Sequence, residues 1–67
     1  MAASMTDRIR TEAAIATQMS ALCYYLAEAL GADPDTCVAG QAVEGLERIA
    51  HKLAASLSAI AEESTRR

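Results

Sequence analysis

Few side chains in this sequence are equipped for chemistry, and their spacing decides what each can do. His51 is the single histidine. A catalytic base must reach the proton it takes, and a triad needs a nucleophile and an orienting acid around it. His51 follows Glu47 by four residues, but no Ser, Cys or second carboxylate stands one helical turn away to complete such a set. It reads as a solvated surface histidine. Structural or catalytic zinc needs three or four converging Cys, His or carboxylate ligands. Cys23 and Cys37 stand 14 residues apart with no CxxC and no second ligand pair. Cys23 reads as a core residue and Cys37 as an adventitious thiol. Gly40 and Gly45 are followed by Leu46 and Glu47, where a phosphate-binding loop requires Lys and Ser or Thr. The carboxylates Glu44 and Glu47, and Glu62 and Glu63, read as exposed helix charges with no apolar pocket to raise a pKa. No catalytic residue, metal site or cofactor is expected, and the chain is read as not an enzyme.

The feature that stands apart is Tyr24-Tyr25, the two aromatic residues of the chain. On a helix both fall on the back of the apolar stripe, with Arg10 and Glu28 as neighbours on that face. Tyrosine is favoured in recognition surfaces because it offers area at low entropic cost and a polar tip. Tyr24, Tyr25, Arg10 and Glu28 are therefore the expected partner-binding residues. The alternative is edge packing, with the two rings covering Cys37 and Val38.

Composition narrows the class of function. The chain has 67 residues, and six Lys+Arg against nine Asp+Glu give a net charge of -3. That balance argues against a basic nucleic-acid binder. The hydrophobic fraction of 52% excludes a disordered tail, although 16 of the 35 residues behind it are Ala. Two cysteines are too few for a disulfide-rich secreted miniprotein. The N-terminus lacks a basic region followed by an apolar run, as a signal peptide requires. The most apolar window, residues 13–30, is interrupted by Thr17, Gln18, Ser20 and Glu28. A membrane span needs about 20 nearly uninterrupted apolar residues. Reduced thiols in a cytoplasmic protein are expected, with no membrane partner.

The elements that carry these residues are two helices. Ser4-Met-Thr-Asp7 fits a capping pattern at a helix start. Gly31 suits the left-handed position that ends a helix, and Asp33-Pro34-Asp35 suits the start of the next. The spacing predicts helix one over about 5–30, a turn over 31–33 and helix two over about 34–63, in a single hairpin domain, 1–67. A turn this short makes the helices antiparallel neighbours. Gly40 and Gly45 fall inside helix two, where each costs about 1 kcal/mol relative to Ala. One continuous helix is favoured over a separate turn at 36–40. Ion pairs four residues apart are expected at Glu44/Arg48, Glu62/Arg66 and Glu63/Arg67.

The expected fold is all-α, an antiparallel two-helix hairpin that dimerises into a four-helix bundle. The residues assigned to core and dimer interface are Ile15, Met19, Leu22, Leu26 and Leu30 on helix one. On helix two they are Leu46, Ile49, Leu53, Leu57 and Ile60. Two packed cylinders cover only part of each other's stripe, and a second copy is the simplest surface for the remainder.

The layout of helix one, a short turn carrying Asp with a Cys nearby, then helix two, resembles the Rop-type RNA-binding dimer. That resemblance implies a basic, aromatic helix-one face. Here the face offers Arg8 and Arg10 against Asp7, Glu12 and Glu28, so no RNA-contacting residue carries over. The stretch Leu22-Cys-Tyr-Tyr-Leu-Ala-Glu-Ala-Leu30, with the Ala/Leu-rich second helix, is similar to short two-helix proteins of unknown function from pseudomonads. The leading expectation is a small cytoplasmic homodimer that binds and modulates another protein, as a regulator or inhibitor of the kind encoded by phages or mobile elements. The alternatives are a Rop-like RNA- or DNA-associated regulator and a structural subunit of a larger helical assembly. Clustered Lys and Arg would favour the first alternative, and the chain has six such residues in all.

Overall fold

The computed structural model describes residues 4–66, which form two helices packed as an antiparallel hairpin: α1 (Met5–Gly31) and α2 (Cys37–Thr65). Ser4 caps α1 as its sequence pattern predicts, its Oγ accepting from the Asp7 amide at 3.1 Å. That bond satisfies one of the amides left free at a helix start, and the Asp7 carboxylate favours the positive end of the helix. At the far end the hairpin is held across its opening by Thr6 Oγ1 and Ser64 Oγ, 2.6 Å apart.

The turn is longer than its sequence suggests, and a different residue closes α1. No described residue has a positive φ, so Gly31 is helical and does not act as a left-handed stop. The Thr36 hydroxyl instead donates to the Leu30 carbonyl at 2.6 Å, occupying an acceptor that the helix end leaves free. Asp33 Oδ1 accepts from the Asp35 amide at 2.9 Å, and Asp33 O accepts from the Thr36 amide at 3.0 Å. These bonds make Asp33-Pro34-Asp35 a turn of its own, with α2 starting at Cys37 and not at Pro34. The Thr36 hydroxyl is committed to Leu30, so Thr36 flanks α2 without a side-chain cap.

Between the helices lies a seam of small side chains. On α1 the residues turned inward are Ile9, Ala13, Ala16, Ser20, Cys23, Ala27 and Leu30; on α2 they are Gly40, Val43, Glu47, Ala50, Ala54, Leu57 and Ala61. Both series alternate steps of three and four, the repeat that keeps one narrow seam facing a partner helix. The buried members are Ala13, Ala16, Ser20, Cys23, Gly40, Ala50, Ala54 and Ala61. Of the ten residues assigned from sequence to core and dimer interface, eight lie outside this seam. Leu30 and Leu57 are half-buried in it, whereas Ile15, Met19, Leu22, Leu26, Leu46, Ile49, Leu53 and Ile60 stay exposed. The sequence stripe was centred on the largest side chains, yet close packing selects the smallest.

Both glycines of α2 are helical, and they differ in what surrounds them. A Cβ at Gly40 would meet Gly31 N at 3.1 Å, Ala27 O at 3.2 Å and Leu30 Cβ at 3.3 Å, whereas Gly45 has open space. At Gly40, α2 lies close against the backbone of α1. Gly45→Ala should therefore stabilise the hairpin by up to about 1 kcal/mol, the helix-propensity gain. Gly40→Ala should lower stability, because α1 backbone must move to admit the methyl group. Thermal or urea unfolding of the two variants checks the opposite signs.

Candidate interaction surfaces

The small seam divides the rest of the hairpin into two faces. On α1, Ile15, Met19, Leu22 and Leu26 each stand one residue before a seam position; on α2, so do Leu46, Ile49, Leu53 and Ile60. Antiparallel helices are related by a two-fold axis perpendicular to the plane of the hairpin. A position with the same offset from the seam therefore falls on the same side of both. The eight large apolar residues consequently share one face. Leu22 is 70% exposed and Ile49 65% exposed. The opposite face takes residues one place after the seam: Thr17, Tyr24 and Glu28 on α1, with Glu44, Arg48, His51, Ser58 and Glu62 on α2.

The surface area bears on what such a face requires. The chain measures 51 × 22 × 11 Å and exposes 5181 Å². A compact protein of this mass exposes about 4,000 Å². The surplus exceeds the roughly 800 Å² per partner that a standard protein interface buries.

On the polar face a groove of about 360 Å³ is lined by Tyr24, Ala27, Glu28, Glu44, Glu47 and Arg48. Tyr24 and Tyr25 meet edge to face, with centroids 5.8 Å apart and planes at 80°. Such aromatic pairing favours one relative orientation of the rings. Both remain exposed, and Val38, which edge packing would have them cover, is 74% exposed. The Glu28 carboxylate, an acceptor and a negative charge beside the Tyr24 hydroxyl, favours its protonated form and holds the Tyr24 pKa above the ordinary 10.0. Arg48 Nη2 lies 3.4 Å from Glu44 Oε1, an exposed pair of little energetic weight. It is the ion pair formed among the described residues; the expected Glu62/Arg66 pair is not made, and Glu63/Arg67 lies outside them.

Three of the four residues assigned from sequence to partner binding come together: Tyr24, Tyr25 and Glu28. Arg10 does not join them, because 14 helical residues displace it by about 21 Å along α1. Glu47 was read from sequence as an exposed helix charge, and the structure corrects this. It occupies a seam position, half-buried, where its Oε1 accepts from the Ser20 hydroxyl at 3.3 Å. A Ser and a Glu give no hydropathy signal, so their place in the seam was not visible without the small residues that frame it. His51 is exposed, Cys23 is buried in the seam, and Cys37 is half-buried with its thiol 3.4 Å from Pro34 O. Among the described residues no group of three or more His, Cys, Asp or Glu could hold a metal ion, and no helix is long and apolar enough to cross a membrane.

Comparison with protein families, with curated proteins and with solved structures finds no match to this chain.

The Tyr24 geometry has a spectroscopic consequence. A neighbouring carboxylate disfavours the phenolate. In a Tyr25→Phe background, ultraviolet titration should find Tyr24 ionising above the ordinary tyrosine value, and Glu28→Gln should bring it down. An unchanged titration after that substitution would show that Glu28 does not act on the ring.

Proposed function

We propose that this chain is a non-enzymatic interaction module. It works as a homodimer, two hairpins closing into a four-helix bundle, and it binds and modulates another protein through its polar face. The observation that carries the reading is the division of the hairpin into two unlike faces. One bears eight exposed Ile, Leu and Met residues in two aligned rows. Exposed apolar area on this scale marks an interaction site in a small protein. The symmetric solution is a second copy of the same face. Such a dimer leaves the Tyr24, Tyr25 and Glu28 cluster facing solvent on each outer surface, where it is available to a further protein. The net charge of -3 favours this class of partner over nucleic acid.

The dimer is tested by concentration. Because the folded unit includes two chains, its melting temperature should rise with protein concentration. Leu53→Glu should dissociate it, since a charge would enter an apolar interface. A mass of one chain at tens of micromolar, with full helicity, would overturn the reading.

The partner surface is tested on Tyr24→Ala combined with Tyr25→Ala. The double change should leave helicity and dimer mass nearly unchanged and weaken partner binding by about 2 kcal/mol or more, the scale of an interface hot spot. Loss of melting temperature without loss of binding would assign the rings to edge packing instead.

A further inference from the structure

Resting on the dimer reading above, we infer that the second copy packs on the apolar face about a two-fold axis parallel to the long axis of the hairpin. Both turns then lie at the same end of the bundle, and Arg8, Glu12 and Ser56 set that orientation.

The argument starts from the register of the two helices. Three contacts fix it: Thr6 with Ser64, Ser20 with Glu47, and Gly40 against the Ala27–Gly31 backbone. By that register the apolar face is a ladder of paired positions. Leu22 is level with Leu46, Met19 with Ile49 and Ile15 with Leu53, so three central rungs are wholly apolar. Toward the turn, Leu26 is level with Ala42. Toward the open end, Glu12 is level with Ser56, Arg8 with Ile60 and Met5 with Glu63. A shallow groove lined by Met5, Arg8, Ile9, Glu12 and Leu57 marks this end of the face.

Two hairpins stacked face to face can be related by a two-fold axis along their length or by one across it. Both choices keep neighbouring helices antiparallel, so helix dipoles do not discriminate. The rungs do. A lengthwise axis sets each rung against itself with the helices exchanged. Leu22 then meets Leu46 of the second copy, and Glu12 meets Ser56, whose hydroxyl can donate to the carboxylate. Arg8 lies over Ile60, which can cover its aliphatic stem, and one turn from Glu63, which complements its charge.

A crosswise axis through the central rungs reverses the order. Glu12 is then set against Leu26 and Ala42, and Arg8 against Ala29 and Ala39. An ionised carboxylate placed against aliphatic side chains without a donor is costly. Moving the crosswise axis down to pair the Glu12 rung with itself leaves the Leu22 and Leu26 rungs uncovered. The lengthwise arrangement does bring Asp33 and Asp35 of both turns to one end. Those residues are exposed, and their repulsion is screened by water and salt. The central apolar rungs and the charged open-end rungs are thus satisfied together in one of the two arrangements.

Spin-label distances between the two copies test this. Asp35→Cys marks the turn and Glu62→Cys the open end, each in the full chain with Cys23→Ala and Cys37→Ser, helicity being checked by circular dichroism. Helices in a bundle are about 8–10 Å apart. Labels at Asp35 on both copies should therefore lie within about 30 Å once the label arms are added, and labels at Glu62 likewise. Mixed dimers carrying one label of each kind should give a distance of about 40 Å or more, the rise of the 27 residues between the two positions. The reverse pattern, or a population with long distances between like labels, would overturn the orientation and leave the dimer standing. Absence of any coupling between copies, with the mass of one chain, would overturn the dimer reading on which the inference rests. The two sites are independent, so the measurement survives if either variant fails to fold.

Discussion

The close approach of α1 and α2 along a seam of Ala, Gly, Ser and Cys is the constraint from which the rest of the hairpin follows. Side chains this small let two helices pack with backbone nearly touching, as the crowding around Gly40 shows. Dispersion is short-ranged, so a narrow seam gains many weak contacts at once. The same choice limits what the seam can bury. No large side chain is fully buried anywhere in the described chain. The apolar bulk of the protein is displaced onto one flank, where the hairpin itself cannot cover it.

That displacement explains the shape and the surface together. The radius of gyration is 15.4 Å, where a compact chain of this length would have about 11 Å. A flat two-helix layer has no interior. The seam also carries the polar pair Ser20 and Glu47, whose hydrogen bond joins the helices and presents one carboxylate to the groove beside Tyr24. The polar face is therefore positioned by the same contacts that hold the hairpin. A change in the seam would reach both faces.

The turn illustrates how local signals compete. Asp33-Pro34 is a plausible helix start and Gly31 a plausible stop, and each loses to a tertiary contact. Thr36 uses its single hydroxyl proton on the Leu30 carbonyl, which ends α1 and leaves α2 without a side-chain cap. Asp33 uses its side chain on the Asp35 amide and stabilises a turn. Caps, turns and helix starts draw on the same few residue types, so propensity alone does not rank them.

Much of the architecture was legible in the sequence by itself. Periodicity showed two helices, the Ser4 cap placed the start of the first, and a short break between them made a hairpin. Tyr24 and Tyr25 are exposed in the folded hairpin, and Glu28 follows Tyr24 by one helical turn. Tertiary structure decided which stripe faces inward. Hydropathy weights Leu and Ile above Ala, so the pattern pointed to Ile15, Leu22, Ile49 and Leu53 as the packed positions. Packing instead rewards the closest fit of two cylinders, and Ala13, Ala16, Ala50 and Ala54 provide it. The separation of Arg10 from the tyrosines follows from helical rise alone. The place of Glu47 in the seam cannot be read from residue type, because it depends on which neighbours the fold brings within reach.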